Sequence, residues 1–127
     1  MADTQTTYRT VTPYLLIPDA DHELTFLKAA FGAREMSCHR GPENRVMHAE
    51  IMIGDSLIMI GQAGGEWKPV SGALYLWGPD VDATYAAALR TGATSQQAPE
   101  DMTYGHRNAS VLDRNGISWW IAAPVTK

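Results

Sequence analysis

The sequence predicts an α+β fold in which one βαβββ module occurs twice in tandem. The first observation is a repeat of turn and cap residues: Gly32 corresponds to Gly92, and Asp19 to Asp80, each pair about 60 residues apart. The second is that the predicted elements follow the same order in both halves. The third is the length of 127 residues, which suits one ordinary domain and is too short for two separate cores. Residues 1–127 are therefore expected to form a single domain.

Module one is predicted to span about residues 8–61. A strand at residues 8–17 leads into a helix that begins with Asp19 as its N-cap and ends at Gly32. Gly54 and the following aspartate form a hairpin turn between the last two strands. The strands after the helix are predicted at residues 33–40, 45–53 and 56–61.

Module two is predicted to span about residues 72–124, after a polar linker at about residues 62–71. Its first strand covers residues 72–77, and its helix covers residues 81–91 with Asp80 as the N-cap. The remaining strands are predicted near residues 93–98, 107–112 and 118–122.

The charge and the cysteine content of the chain limit which binding partners and which cellular compartment are expected. The chain has 10 Lys and Arg against 14 Asp and Glu, a net charge of −4, so we expect no nucleic acid partner and no anionic membrane partner. No apolar run approaches the length of about 20 residues that crosses a bilayer, and the N-terminus lacks a secretory pattern. Cys38 is the single cysteine, which excludes an internal disulfide and fits a reducing cytoplasm.

Three segments, taken in order, resemble the vicinal oxygen chelate superfamily, which contains glyoxalase I, extradiol dioxygenases and bleomycin-resistance proteins. They are VTPYLLIPDADHELTFLKAAFGA, RVMHAEIMIGDSLIMI and YGHRNASVLDRNGISWWIA, and they look most like the PhnB-like branch. The resemblance implies that the two modules form a curved mixed sheet around a cavity and that the protein is a homodimer. Three residues depart from the branch: Tyr104 replaces a tryptophan, His106 replaces an acid and Arg114 replaces a proline. Ligand specificity is therefore not inherited from relatives.

The same resemblance implies four positions that hold a metal ion in metal-using relatives. In this chain they are Thr12, Ile58, Ala73 and Trp120, with Met59 in place of Ile58 if the register slips by one. None is a carboxylate, imidazole or thiolate, the ligands that divalent ions need. We therefore expect no metal and no cofactor. A displaced site built from His48, Glu50 and His106 is the alternative.

Strand alternation predicts which side chains share the face of those four positions. In the strand at residues 45–53, the apolar set beginning with Met47 is expected to pack on a helix, which leaves Val46 and His48 on the cavity side. In the next strand, Ser56 and Ile60 are expected to share the cavity side with Ile58. The segment at residues 96–107 is predicted to be a long loop over the cavity mouth. The predicted ligand-binding residues are Tyr14, His48, Glu50, Met52, Tyr75, Trp77, Tyr104, His106 and Trp120.

The sequence favours a metal-free protein that binds a hydrophobic or aromatic small molecule, such as a drug or antibiotic, in an aromatic-lined pocket. The alternative is a glyoxalase-like lyase or isomerase, or a dioxygenase-related enzyme, that uses His48 and Glu50 or a displaced metal site. These two residues are the only candidates for catalysis, and an ordinary polar network would also account for them. A further alternative is that the aromatic side chains fill the cavity as a second core.

Overall fold

The computed structural model describes residues 8–125, which form two four-stranded sheets, each with a helix packed on one face. The predicted α+β fold class is confirmed. In module one the elements are β1 (Tyr14–Ile17), α1 (Ala20–Phe31), β2 (Arg34–Arg40), β3 (Val46–Ile53) and β4 (Ser56–Gln62). In module two they are β5 (Gly72–Trp77), α2 (Val81–Arg90), β6 (Thr94–Asp101), β7 (His106–Leu112) and β8 (Ile117–Pro124).

The two sheets have the same topology. The strand order is β1-β4-β3-β2 in one sheet and β5-β8-β7-β6 in the other, and the first pair in each is parallel. The helix caps also match, because the side chains of Asp19 and Asp80 each accept a hydrogen bond from the backbone N–H three residues later. The last hairpin of each module turns at Gly54 or Gly116, both at positive φ, where a side chain would be strained.

The helices join the two modules into one core. α1 contacts α2, and the ring of Phe31 lies 4.9 Å from that of Trp119, centroid to centroid. The Asn115 side chain, in the β7–β8 turn, accepts a hydrogen bond from the Asp19 N–H (2.8 Å) and donates to Glu23 Oε1 (2.9 Å). Each sheet therefore has one face against the helix layer and one face away from it. We call the latter the module-one face and the module-two face.

Two predicted boundaries are wrong. The first strand begins at Tyr14 rather than at residue 8, because Pro13 has no N–H to donate and pairing with β4 starts after it. The predicted loop at residues 96–107 is largely strand, since β6 continues to Asp101 and only residues 102–105 connect it to β7. β6 tolerates its proline because it is the edge strand of the sheet.

Two predicted side-chain orientations are also wrong. The pairing of β2 with β3 skips Met47, which is exposed, and Val46 is buried against α1 with its N–H donated to Asp21 Oδ2 (3.2 Å). In β4, Ile58 and Ile60 pack into the core, and Met59 is on the module-one face opposite Tyr14 in β1. The register therefore slips by one from the position first expected.

Among the described residues, no helix is long and apolar enough to span a membrane.

Candidate functional site

The module-two face has an aromatic rim around a small residue. Across this sheet Tyr75 pairs with Trp120, and Trp77 pairs with Ala122. The Ala122 side chain is fully buried and short. The side chains of the two neighbouring strands, β5 and β7, can therefore contact each other above it. The result is a platform of rings rather than a deep hole.

His106, at the start of β7, is the centre of this platform. The hydroxyl oxygen of Tyr75 lies 2.8 Å from His106 Nδ1. The ring centroid of His106 lies 4.8 Å from that of Trp77 and 5.3 Å from that of Tyr104, both in edge-to-face geometry. Tyr75, Trp77 and Tyr104 are each more than half exposed. Five of the predicted ligand-binding residues therefore lie together on this face.

A partly buried chain of amide hydrogen bonds leads to Tyr104. Gln97 Nε2 donates to Asn108 Oδ1 (2.7 Å), and Asn108 Nδ2 donates to the Tyr104 hydroxyl (3.0 Å). Beside them Ser110 Oγ donates to Gln96 Oε1 (2.8 Å). Sequence reasoning missed Asn108, although alternation along β7 from His106 would have placed it on the same face.

The module-one face carries the other four predicted residues. Tyr14 meets His48 edge to face, with ring centroids 5.7 Å apart, across Gly61 of the middle strand. A Cβ on Gly61 would lie 2.6 Å from the Tyr14 hydroxyl oxygen, so only glycine leaves room for this ring. Both faces therefore use a small residue to let a tyrosine or tryptophan ring meet an imidazole.

Glu50 and Met52 follow His48 along β3 on the same face, and both are half-buried. The hydroxyl of Tyr8, which precedes the first strand, donates to Glu50 Oε2. This hydrogen bond raises the pKa of Tyr8, because loss of the phenol proton would place two negative charges together. Tyr8 was not among the predicted site residues, since sequence alternation does not report on a segment outside the sheet.

Within one chain the two faces do not form a shared cavity. The described residues show no ring contact or hydrogen bond between the four residues on the module-one face and the five on the module-two face. The structure has a different cavity of about 770 Å³ along the seam between the modules. Its lining includes Phe31, Ile58, Leu74 and Trp119, together with the predicted site residues Tyr75 and Trp77. The sequence did not predict its position between the modules, because that position depends on how the modules pack.

The residues at the four metal positions that the resemblance implies do not fit a divalent ion. With the register given by the structure they are Thr12, Met59, Ala73 and Trp120, none of which offers an anionic or imidazole ligand. Within residues 8–125, no group of three or more His, Cys, Asp and Glu side chains is placed to hold a metal ion. Cys38 packs toward the core, away from the module-one face.

Protein incubated with nickel, cobalt, zinc or manganese ions and then dialysed is expected to retain no stoichiometric metal. The physical reason is that hydroxyl, thioether, methyl and indole groups are poor ligands for these ions. Elemental analysis by mass spectrometry checks this, and one retained ion per chain would contradict it.

A family model described as "Glyoxalase/Bleomycin resistance protein/Dioxygenase superfamily" matches residues 9–121. An uncharacterized protein of Mycobacterium bovis is 31% identical over 126 residues, which cover 91% of this chain and 83% of that protein. The crystal structure of TioX from Micromonospora sp. ML1 is similar, with a TM-score of 0.78, 21% identity, and coverage of 93% of this chain and 100% of TioX. A family enzyme from Burkholderia phytofirmans PsJN has a TM-score of 0.71 and 19% identity, covering 88% of this chain and 95% of that chain.

Proposed function

The chain belongs to the glyoxalase/bleomycin resistance protein/dioxygenase superfamily, and we propose that it is a metal-free member that binds a planar aromatic small molecule. The observation that carries the proposal is the module-two face. Three aromatic side chains there are more than half exposed in the single chain, although large apolar side chains are normally withdrawn from water. Such a patch, with a few polar groups at its centre, is typical of a recognition site.

We propose that two copies of the chain complete the pocket. Each face is open in the single chain, and both β1 and β5 are edge strands. The linker already pairs with one point of the β1 edge, where the Leu16 carbonyl accepts a hydrogen bond from the Val70 N–H (2.9 Å), and the rest of that edge has no strand beside it in the described residues. Exposed edges favour pairing with another chain. A twofold dimer would set the module-one face of one chain beside the module-two face of the other and form two equivalent pockets.

Sedimentation velocity at micromolar concentration is expected to show a species of twice the 13.9 kDa chain mass. The reason is that dimerisation covers the strand edges and the exposed rings. A clean monomer over the same concentration range would contradict the dimer.

Three further assignments belong to this proposal: the branch of the family, the cellular location and the classes of partner that are excluded. We propose from the three ordered sequence segments that the chain belongs to the PhnB-like branch, and from the single cysteine, Cys38, that its location is cytoplasmic. We expect neither nucleic acid nor membrane as a partner, given the net charge of −4. Drugs and antibiotics with flat ring systems are one source of such ligands. Catalysis by His48 and Glu50 is the alternative, although Tyr8 already occupies one oxygen of Glu50.

Trp120→Ala is expected to weaken binding of a planar aromatic ligand by about 1–3 kcal/mol, the range for loss of one aromatic platform. Trp120 is half-buried between Tyr75 and Ser110 on the module-two face, where a flat ligand would stack on its ring. Isothermal titration calorimetry measures the affinity. Unchanged affinity together with a large loss of melting temperature would show that Trp120 is core, and would end the binding-site proposal.

A further inference from the structure

The polar groups of the module-two face are almost all paired with one another. The Gln97 amide donates a hydrogen bond to Asn108, and the Asn108 amide donates one to the Tyr104 hydroxyl. Ser110 donates a hydrogen bond to Gln96. His106 differs, because within residues 8–125 the structure shows a hydrogen-bond partner for Nδ1 but none for Nε2. The half-buried imidazole therefore has one ring nitrogen that is held and one that is available.

The hydrogen bond between Tyr75 and His106 determines whether Nε2 donates or accepts a hydrogen bond. A phenol O–H is a stronger hydrogen-bond donor than a neutral imidazole N–H, which favours the tautomer in which Tyr75 donates to Nδ1 across 2.8 Å. In that tautomer neutral His106 carries its proton on Nε2. Nε2 is then a donor, and a protonated imidazole would also donate there.

We infer that the ligand of this face carries a hydrogen-bond acceptor in or near the plane of its aromatic ring system, and that His106 Nε2–H donates to it. This inference rests on the proposed function and names its ligand class: aromatic carbonyl compounds and related ring systems with an exposed acceptor. The Trp77 and Tyr104 rings flank the imidazole within 5.3 Å, so an acceptor at Nε2 has aromatic surface beside it for the attached rings.

An imidazole N–H at the centre of the platform selects for an acceptor on the ligand, whereas a carboxylate there would select for a donor. His106 is thus a specificity-determining residue, and Tyr75 is a positioning residue that acts through it.

The test uses two probes that differ by one carbonyl group, 2-acetylnaphthalene and 2-ethylnaphthalene, titrated into the full chain by calorimetry. We expect the acetyl probe to bind about tenfold more tightly, the usual gain from one hydrogen bond that an analogue lacks. His106→Phe is expected to abolish that preference, so that the two probes bind the variant with affinities within about twofold of each other.

Tyr75→Phe keeps the ring and removes the hydroxyl, so it is expected to reduce the preference while the protein melts at an unchanged temperature. Tyr85→Phe is the matched control, because that hydroxyl donates to Ser95 Oγ (2.7 Å) beside α2 and is remote from His106. It is expected to keep the full preference for the acetyl probe.

Equal affinities of the two probes for the wild-type protein would overturn the inference and leave the proposed function standing. Failure of both probes to bind would overturn the proposed function as well. A preference that survives in His106→Phe would assign the donor to another residue and would likewise overturn the inference.

Discussion

Trp119→Ala is expected to lower the free energy of unfolding by about 3–5 kcal/mol, the range for removing a buried aromatic side chain. Trp119 is 2% exposed, and its ring packs on Phe31 across the junction of the two modules. Its indole Nε1 also donates to Asp113 Oδ2 (2.8 Å), so the substitution leaves a buried carboxylate without one of its donors. Because domains of this size are stable by about 5–15 kcal/mol, the loss is a large part of the total.

Two other tryptophans provide matched controls in urea denaturation followed by circular dichroism. Trp67 lies in the linker and is 68% exposed, so Trp67→Ala is expected to change the free energy of unfolding by less than about 0.5 kcal/mol. Trp120 is the next residue along β8 but points to the opposite face, so Trp120→Ala is expected to cost much less than Trp119→Ala. Equal losses at positions 119 and 120 would contradict the separation of the core face from the open face.

Glu23→Gln is expected to stabilise the protein at neutral and alkaline pH. Glu23 is fully buried on α1, where Oε1 accepts a hydrogen bond from Asn115. Among the described residues Oε2 has no donor to satisfy it. Burial raises the pKa of Glu23 to about 9, and the neighbouring carboxylate of Asp113 acts in the same direction. The folded protein therefore holds this side chain in its protonated form at neutral pH.

The direction of the pH dependence follows from the two states of Glu23. In the unfolded chain it loses its proton near the ordinary pKa of 4.5, whereas the folded chain keeps the proton up to about pH 9. Its contribution to stability is therefore fully present below pH 4.5 and is lost as the pH rises toward 9. The loss approaches about 1.4 kcal/mol per pH unit for one proton. Glutamine keeps the carbonyl acceptor and cannot ionise, so the variant lacks this loss.

The measurement is the urea midpoint of wild type and Glu23→Gln from pH 4 to pH 9, with Glu66→Gln as a control for an exposed acid in the linker. The curves for wild type and Glu23→Gln are expected to meet at low pH and to diverge with increasing pH. Parallel curves would show that Glu23 is ionised in the folded protein. The control is expected to follow the wild type throughout.

These two predictions concern the junction that holds the modules together, and the junction bears on the site. Asp113, Asn115 and Trp119 belong to the β7–β8 hairpin, which also carries Trp120 and Ala122 on its other side. The hairpin therefore fixes the platform and the contact with α1 at once. A ligand on the module-two face would consequently rest on a hairpin whose other side is part of the core.

Much of the fold could be predicted from sequence because its signals are local. Asp19 and Asp80 cap helices through their own next turn, and Gly54 and Gly116 turn hairpins through their own backbone. Two-residue alternation also placed Tyr75, Trp77 and Trp120 on one face, where the structure has them. The register of strand pairing was harder to predict, because the bulge at Met47 reverses the alternation of side chains next to it and places Val46 in the core.

The sequence by itself determined the two βαβββ modules, the poor metal ligands at Thr12 and Ala73, and the aromatic character of the face that carries Trp120. Those properties depend on residue type and short-range spacing. Only the tertiary structure decided that Met59 replaces Ile58 on the module-one face, that Tyr75 meets His106 over Ala122, and that a cavity lies along the seam between the modules. These outcomes depend on strand register and helix packing between residues far apart in the chain, which one-dimensional spacing does not encode.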